Sequence, residues 1–517
     1  MNELPLEGAT PNTGRRGNRE SGIGSSVIDR TTPEERAMIF SPGRRNGRSR
    51  WGFLAIAFAL VWLVVGALQV GAQTRTTKPA GAAARSKKRA LTLDQCIQIA
   101  LKNNAEIKES RAGVLGAQAK RSQADAARYP QIEALALLGP SARARGDQVS
   151  SPDDQRDPTI DGIFVQGVFT LIQPIFTFGE ISGLRRAAAS NVKVEQAKVD
   201  EKSSDVILKV KEFYNGHLLA RDLLSLVNEV KGDLDSAKEK VRNLLEKDSE
   251  QVAETDLYKL EAFSSTVETS LTQAEKSVRL SLEALKFAMG LRAEEQIELA
   301  DAHILPDVKL VEKLPFYQEQ SFQLRPEFRQ IHEGLKALQA LVSVEKSKYF
   351  PKFFVGALAD LADATNRDSI DNPFVIDPLK HEIYGVAVGF RWTFDFGITA
   401  GRISEARAEV QKVQHKKTFA QQGVPLEVRK AYEELQEAGK NMKSTESSYR
   451  FARKWLVASV ANFDLGIGDA EEIFRALEQY AKTRAENYKQ TFTYNMGLAN
   501  LERASGLVMT TIKRSAK

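Results

Sequence analysis

The sequence predicts a mainly α-helical protein with a smaller β part, in which one structural unit is written twice. Three observations carry that reading. A block of residues recurs about 218 positions later, long stretches run without proline at heptad spacing, and shorter segments alternate large and small residues.

The recurrence comes first. Phe176-Thr177-Phe178-Gly179 returns as Phe394-Asp395-Phe396-Gly397, and the same offset pairs Gly183 with Gly401, Ala188 with Ala406, Val206 with Val424 and Tyr214 with Tyr432. Upstream, Tyr129-Pro130-Gln131-Ile132 answers Phe350-Pro351-Lys352-Phe353 at an offset of 221. A register held over some forty residues identifies an internal duplication. Each copy reads helix, proline, two apolar stretches around a polar loop, aromatic-Gly, then a long helical hairpin.

The first helix is expected over Leu91–Arg128, with Thr92 as its cap and Asp94 in its first turn. Its counterpart is expected over Glu327–Lys348, and Pro130 and Pro351 stop the two. The clearest strand is His381–Phe396, where Tyr384, Val386, Val388, Phe390, Trp392 and Phe394 alternate with mostly small or polar residues. That pattern fits a half-buried strand of a soluble sheet or a barrel strand with lipid on one side. Ile160–Phe176 is its homologue, and the loops near 141–158 and 363–378 are polar. No proline occurs between Pro174 and Pro306 or after Pro425. Val206, Val210, Phe213, His217, Ala220, Leu224, Val227, Lys231, Leu234, Lys238, Val241 and Leu245 keep a 4-3 seam. A helix over Glu180–Lys247 would run roughly 100 Å at 1.5 Å per residue. Pro425 reads as a kink or a hinge in the matching helix of copy two.

Four strands leave open edges and cannot close a barrel, so the strands are expected to join those of other chains. Three copies would give twelve strands and a passable lumen; two would give a filled barrel.

Charge and leader point to export. The net charge is +6, but 1–50 carries nine Arg against six acids and 51–89 six basic residues and no acid, leaving Ala90–Lys517 near −3. A basic leader on a slightly acidic body argues for targeting and against nucleic-acid binding. Arg44, Arg45, Arg48 and Arg50 precede an apolar stretch within Trp51–Thr74, and Val70-Gly71-Ala72 ends it as a cleavage site. Cleavage is expected after Ala72; an uncleaved inner-membrane anchor is the alternative. The single cysteine, Cys96, forms no disulfide within one chain and lies on an apolar helix face. The expected organisation is a leader over 1–72, a basic linker over 73–89, repeat 1 over 90–306, an inter-repeat segment over 307–326 and repeat 2 over 327–517.

Leu91-Thr92-Leu93-Asp94, the run Ile97-Gln98-Ile99-Ala100-Leu101-Lys102-Asn103-Asn104, Tyr129-Pro130, Gln173-Pro174-Ile175-Phe176, Arg325-Pro326-Glu327 and Phe394-Asp395-Phe396-Gly397 stand in a specific order. By these residues, over roughly 91–506, the chain resembles the TolC family of outer-membrane efflux and secretion channels. The resemblance implies a homotrimer with a twelve-stranded barrel in outer-membrane lipid and a twelve-helix barrel through the periplasm. A periplasmic adaptor and an inner-membrane pump would complete the path, and the channel would conduct passively, with no cofactor. Strand-to-helix junctions fall at Pro174, Phe176 and Gly179 and at Phe394 and Gly397, and Tyr384, Val386, Val388, Phe390 and Trp392 would face lipid. Adaptor-docking tips are implied at Leu465-Gly466-Ile467-Gly468 and at Asp248-Ser249, where copy one lacks the glycine. The family's acidic gate maps onto Asp256 and Glu472, with Glu471 beside them and Arg475 replacing a further acid. Three-fold repetition would make rings of such acids. Alternatively they form a solvated helix start or an ion-pair latch.

The five histidines show no ligand spacing, and no GxSxG, HExxH, P-loop or GxGxxG occurs, so catalysis is not expected. The rival class is a periplasmic adaptor or structural coiled-coil protein anchored by Trp51–Gly71, which would need neither the duplication nor lipid-facing strands.

Overall fold

A computed structural model describes residues 89–146, 159–247, 252–370 and 372–510. The expected leader, its cleavage site and the linker up to residue 88 lie outside the described residues, as do Asp248 and Ser249. Among the described residues no helix is long and apolar enough to cross a membrane.

In chain order the elements are β1 (Arg89–Leu91), α1 (Leu93–Asn103), α2 (Ala105–Ala126), β2 (Gln131–Ala142), β3 (Ile160–Phe176), α3 (Glu180–Leu245), α4 (Glu254–Met289) and β4 (Ile297–Leu299). Copy two follows with α5 (Leu314–Leu324), α6 (Pro326–Ser347), β5 (Lys352–Ala364), β6 (His381–Arg391), α7 (Ile398–Asp464) and α8 (Ala470–Ala504). All of these elements belong to one compact unit.

The first helix is two helices. Thr92 caps α1 with Gln95 in a capping box, and the chain turns at Asn104. Asn104 Oδ1 accepts from the amides of Glu106 at 2.9 Å and Ile107 at 3.4 Å, while its Nδ2 donates to the Ala288 carbonyl at 2.8 Å. One side chain therefore caps α2 and ties it to α4. Strand β6 stops at Arg391, five residues short of expectation. Its partner β5 begins at Lys352, directly after Pro351, so no ladder exists for Trp392–Phe396.

The four-stranded antiparallel sheet has the order β2-β3-β5-β6, so β2 and β6 are free edges. Register puts Phe353, Val355, Ala357 and Ala359 of β5 opposite Phe390, Val388, Val386 and Tyr384. The large residues of β6 thus continue an apolar face shared with β5. Offsets in the pairing explain the repeat arithmetic. Gln131 pairs with Ile172 and Lys352 with Arg391, an offset of 219 that becomes 218 by Phe176. The additional residue of copy one coincides with the register shift between Pro174 and Phe176, a β-bulge.

Both long hairpins form. α3 packs on α4 and α7 on α8, and the two hairpins join where α3 meets α8. The heptad seam proves incomplete as an account of α3. Val206, Val210, His217, Leu234 and Val241 are buried as expected, but Tyr214, Leu218, Asp222, Leu226 and Val230 are buried as well. Two partners on different sides require two buried faces. His217 donates or accepts at Ser281 Oγ across 2.9 Å, and burial lowers its pKa, which makes it a packed neutral core residue. α7 continues unbroken through Pro425, whose carbonyl accepts from Gln318 Nε2 at 3.4 Å.

Gly183 shows how tightly the layers meet. A Cβ there would lie 2.7 Å from Val344 Cγ2 and 3.2 Å from the Ala340 carbonyl of α6. Gly183→Leu is expected to destabilise the fold by roughly 1–3 kcal/mol through overpacking, read as a lowered midpoint of thermal unfolding in detergent.

Candidate functional site

The free end of the hairpins gathers most of the predicted site residues. α7 ends in a glycine turn: Gly466 has φ +78 and donates to the Phe463 carbonyl at 3.0 Å, and Ile467 donates to Asn462 at 3.1 Å. A left-handed residue here satisfies carbonyls that the helix end leaves open. Leu465 and Ile467 stay exposed at the turn. α8 then starts on Asp469, whose Oδ1 accepts from the Glu472 amide at 2.8 Å.

Beyond this turn an ionic chain crosses between the hairpins. Asp256 accepts from its own Ala253 amide at 3.1 Å, so its carboxylate caps α4, and it also faces Lys259 at 3.5 Å. Lys259 bridges to Glu471 of α8 at 3.0 Å, and Glu471 pairs with Arg475 one turn on. Lys259 first and Arg475 second hold the Glu471 carboxyl below its ordinary value, and Glu471 in turn raises the Lys259 ammonium. A second bridge links Lys240 of α3 to Asp464 at the end of α7, at 2.8 Å. Beneath lie the Phe263–Phe474 edge-to-face pair, 5.0 Å between centroids, and Tyr480 donating to Glu229 at 2.8 Å. Glu472 points elsewhere and accepts from Trp455 Nε1 at 3.3 Å.

The structure therefore joins Asp256 to Glu471 through Lys259, and Glu471 to Arg475, while Glu472 turns from α8 to Trp455 of α7. Sequence reasoning missed Lys259, Lys240, Asp464 and Trp455. Lys259 was within reach, being one turn from Asp256, but its partner on another hairpin has no sequence signal.

At the opposite end the strand-to-helix junctions are aromatic. Phe178 stacks on Phe350 at 4.8 Å and meets Phe176 edge-on at 4.7 Å; Trp392 lies 4.4 Å from Phe394 and donates to the Tyr349 carbonyl at 3.1 Å. Gly179 precedes α3 with φ +95 and Gly397 precedes α7 with φ +137. Asp395 caps α7 by accepting from the Thr399 amide and hydroxyl at 2.7 and 2.6 Å. Thr177 holds the same place in copy one and accepts from Ile181 at 3.4 Å. Tyr384, Val386, Val388, Phe390 and Trp392 are all exposed, with Pro174 half-buried beside them. Among the described residues no three His, Cys, Asp or Glu side chains group as a metal site.

No curated protein matches the chain by sequence. Residues 96–291 match the family model described as outer membrane efflux protein. Among solved structures, CusC, solved in a study of transmembrane channel formation, is 16% identical with a TM-score of 0.66, covering 83% of this chain and 95% of its own. The CmeC outer membrane channel of Campylobacter jejuni is 14% identical at a TM-score of 0.66, covering 85% and 97%. The outer membrane protein VceC of Vibrio cholerae is 15% identical at 0.64, covering 80% and 96%. The fold is that of the TolC-like outer-membrane channels. Within that fold the family match falls in copy one, from α1 to the end of α4, whereas the structural likeness spans both copies. In TolC-like terms the ionic chain sits at the hairpin tips and the aromatic junctions at the root of the sheet.

Proposed function

We propose that the protein is the outer-membrane channel of a tripartite efflux or type I secretion system, working as a homotrimer. The observation that carries the reading is the open-edged sheet with one large apolar face, set on hairpins too long for a compact core. Three such sheets close into twelve strands with lipid outside. Repeat 1 over 90–306 and repeat 2 over 327–517 each supply two strands and one hairpin, behind a leader cleaved after Ala72. An inner-membrane pump supplies the energy and the chain performs no chemistry. The exposed Leu465 and Ile467 at the glycine turn, with Asp248 and Ser249 at the other tip, form the docking surface for a periplasmic adaptor. Asp256, Glu471, Glu472 and Arg475 lie at the closed end, where Lys259–Glu471 and Lys240–Asp464 act as latches holding the hairpins together.

Membrane fractionation with N-terminal sequencing and sizing of the unheated, detergent-solubilised protein tests this. An outer-membrane species of three chains starting at Gln73 is expected. A monomer or dimer in the inner membrane retaining Trp51–Gly71 would instead establish an anchored coiled-coil protein.

The latch has a pH consequence. Glu471 has a lowered pKa, so its pairing is complete above the ordinary glutamate value of 4.5 and lost as pH falls through the lowered one. Channel conductance in planar bilayers is expected to rise on acidification below that value. Unchanged conductance across the carboxylate range would remove Glu471 from the closing device.

A further inference from the structure

We propose that the cavity between α6 and α7, on the helical side of the aromatic root, binds the phosphate headgroup of an anionic phospholipid of the periplasmic leaflet through Lys346 and Arg407. The inference rests on the outer-membrane reading and deepens it by naming a lipid partner.

Position is the first observation. A cavity of about 380 Å³ is lined by Lys346, Tyr349 and Phe350 at the end of α6 and by Ile403, Ser404 and Arg407 of α7. Its aromatic wall belongs to the apolar side of the sheet. Phe350 stacks on Phe178, whose ring lies 6.4 Å from that of Phe353 on the apolar face of β5. Trp392 follows Phe390 in the same alternation and donates to the Tyr349 carbonyl at 3.1 Å. Such rings settle where hydrocarbon gives way to headgroups. Lys346 stands one turn before Phe350, about 5 Å farther from the sheet, and a headgroup layer is roughly 5–8 Å deep. α6 ends at this level and α7 begins there, and side chains lean toward the start of their own helix. Lys346 and Arg407 therefore converge on the cavity from opposite directions.

Charge is the second observation. Other cations near the root are matched by carboxylates: Lys348 by Glu345 at 2.8 Å, Lys352 by Glu180 at 2.7 Å and Arg185 by Asp125 at 2.6 Å. Neither Lys346 nor Arg407 has a carboxylate partner among the described residues.

The duplication sharpens the contrast. Asp125 is the repeat mate of Lys346 at the offset of 221, Arg185 that of Ile403 at 218, and Ala189 that of Arg407. In copy one an ion pair thus bridges α2 and α3 at this level. In copy two the acid has become a lysine, a second cation has been added, and the bridge is gone. Two like charges around one cavity repel unless an anion lies between them. A phosphate diester suits both, since lysine meets it as a point charge and arginine as a planar fork. Its acyl chains would then run over Phe350 and Trp392 onto the exposed Phe390 and Val388.

Native mass spectrometry of the delipidated, detergent-solubilised protein, titrated with phosphatidylglycerol, tests the site. One lipid per chain is expected, bound more tightly than phosphatidylcholine or diacylglycerol. Lys346→Gln combined with Arg407→Gln should weaken binding roughly tenfold or more. Lys346→Asp, which restores the acid of copy one, should weaken it as well, with helical circular dichroism unchanged; Lys346→Arg should retain it. Lys348→Gln is the control, because Lys348 already pairs with Glu345. Undiminished binding in both the double glutamine variant and Lys346→Asp would overturn the site, and so would an equal loss in Lys348→Gln. Equal affinity for phosphatidylcholine would reduce it to an unselective lipid contact and overturn the charge argument. Displacement of the lipid by an equal concentration of inorganic phosphate would make it a free-anion site and overturn the lipid. Binding is counted per chain, so recovery of the protein from the inner membrane would fell the outer-membrane reading as a separate result.

Discussion

Arg325→Ala is expected to lower stability by about 3–5 kcal/mol, the range for removing one partner of a buried ion pair. The guanidinium is buried and answers three groups at once. It reaches Glu327 at 2.7 Å, Glu427 of α7 at 2.7 Å and the Ala504 carbonyl at the end of α8 at 3.3 Å. Glu427 also accepts from Arg503, which binds Asp205 of α3 at 2.7 Å, so the network ties both copies together. Loss of Arg325 leaves the half-buried Glu327 carboxylate without its partner, beside an unmatched carbonyl. Thermal unfolding in detergent, followed by circular dichroism, measures the effect; Arg325→Lys should recover only part of it, because lysine cannot span the same fork. A midpoint equal to wild type for Arg325→Ala would show that the network contributes nothing.

The second large effect concerns gating. Lys259→Ala combined with Lys240→Ala removes both bridges between the hairpin tips and, with three copies opening together in the proposed trimer, is expected to raise the open fraction roughly tenfold or more. Planar-bilayer recording at low salt measures it, and high salt should narrow the difference by screening. Trp455→Phe serves as comparison, because it cuts only the Glu472 contact within hairpin two. If the double variant conducts like wild type while trimers remain intact, the bridges hold no gate.

Much of this architecture is legible in the sequence. β3 has the expected bounds, and α3 and α6 fall within two residues of theirs, because proline, glycine and period together mark such ends. The duplication was legible in the aromatic-Gly pairs, and even its changing offset had a physical cause in the bulge of β3. What escaped was settled by distant partners. Nothing local says that Asn104 turns the chain, since its reason is the Ala288 carbonyl 184 positions away. Trp392 and Phe394 keep the strand alternation but lie beyond the end of β5, their partner strand in the chain. At the tips, Asp256 and Glu471 were visible as acids at helix starts; the lysine that joins them belongs to a meeting of hairpins that sequence spacing does not record.

One cluster carries a consequence for how the molecule comes into being. Leu91, Cys96 and Ile107 share their core with Val206, Tyr214, Leu285 and Val508, so residues near both ends of the described chain belong to a single packed unit. Loops of some four hundred residues must close before that unit gains its full burial, and such closure is slow. During synthesis, therefore, the first helix can pack on the long helices of copy one as soon as they are made, but that core is sealed only when the turn bearing Val508 arrives.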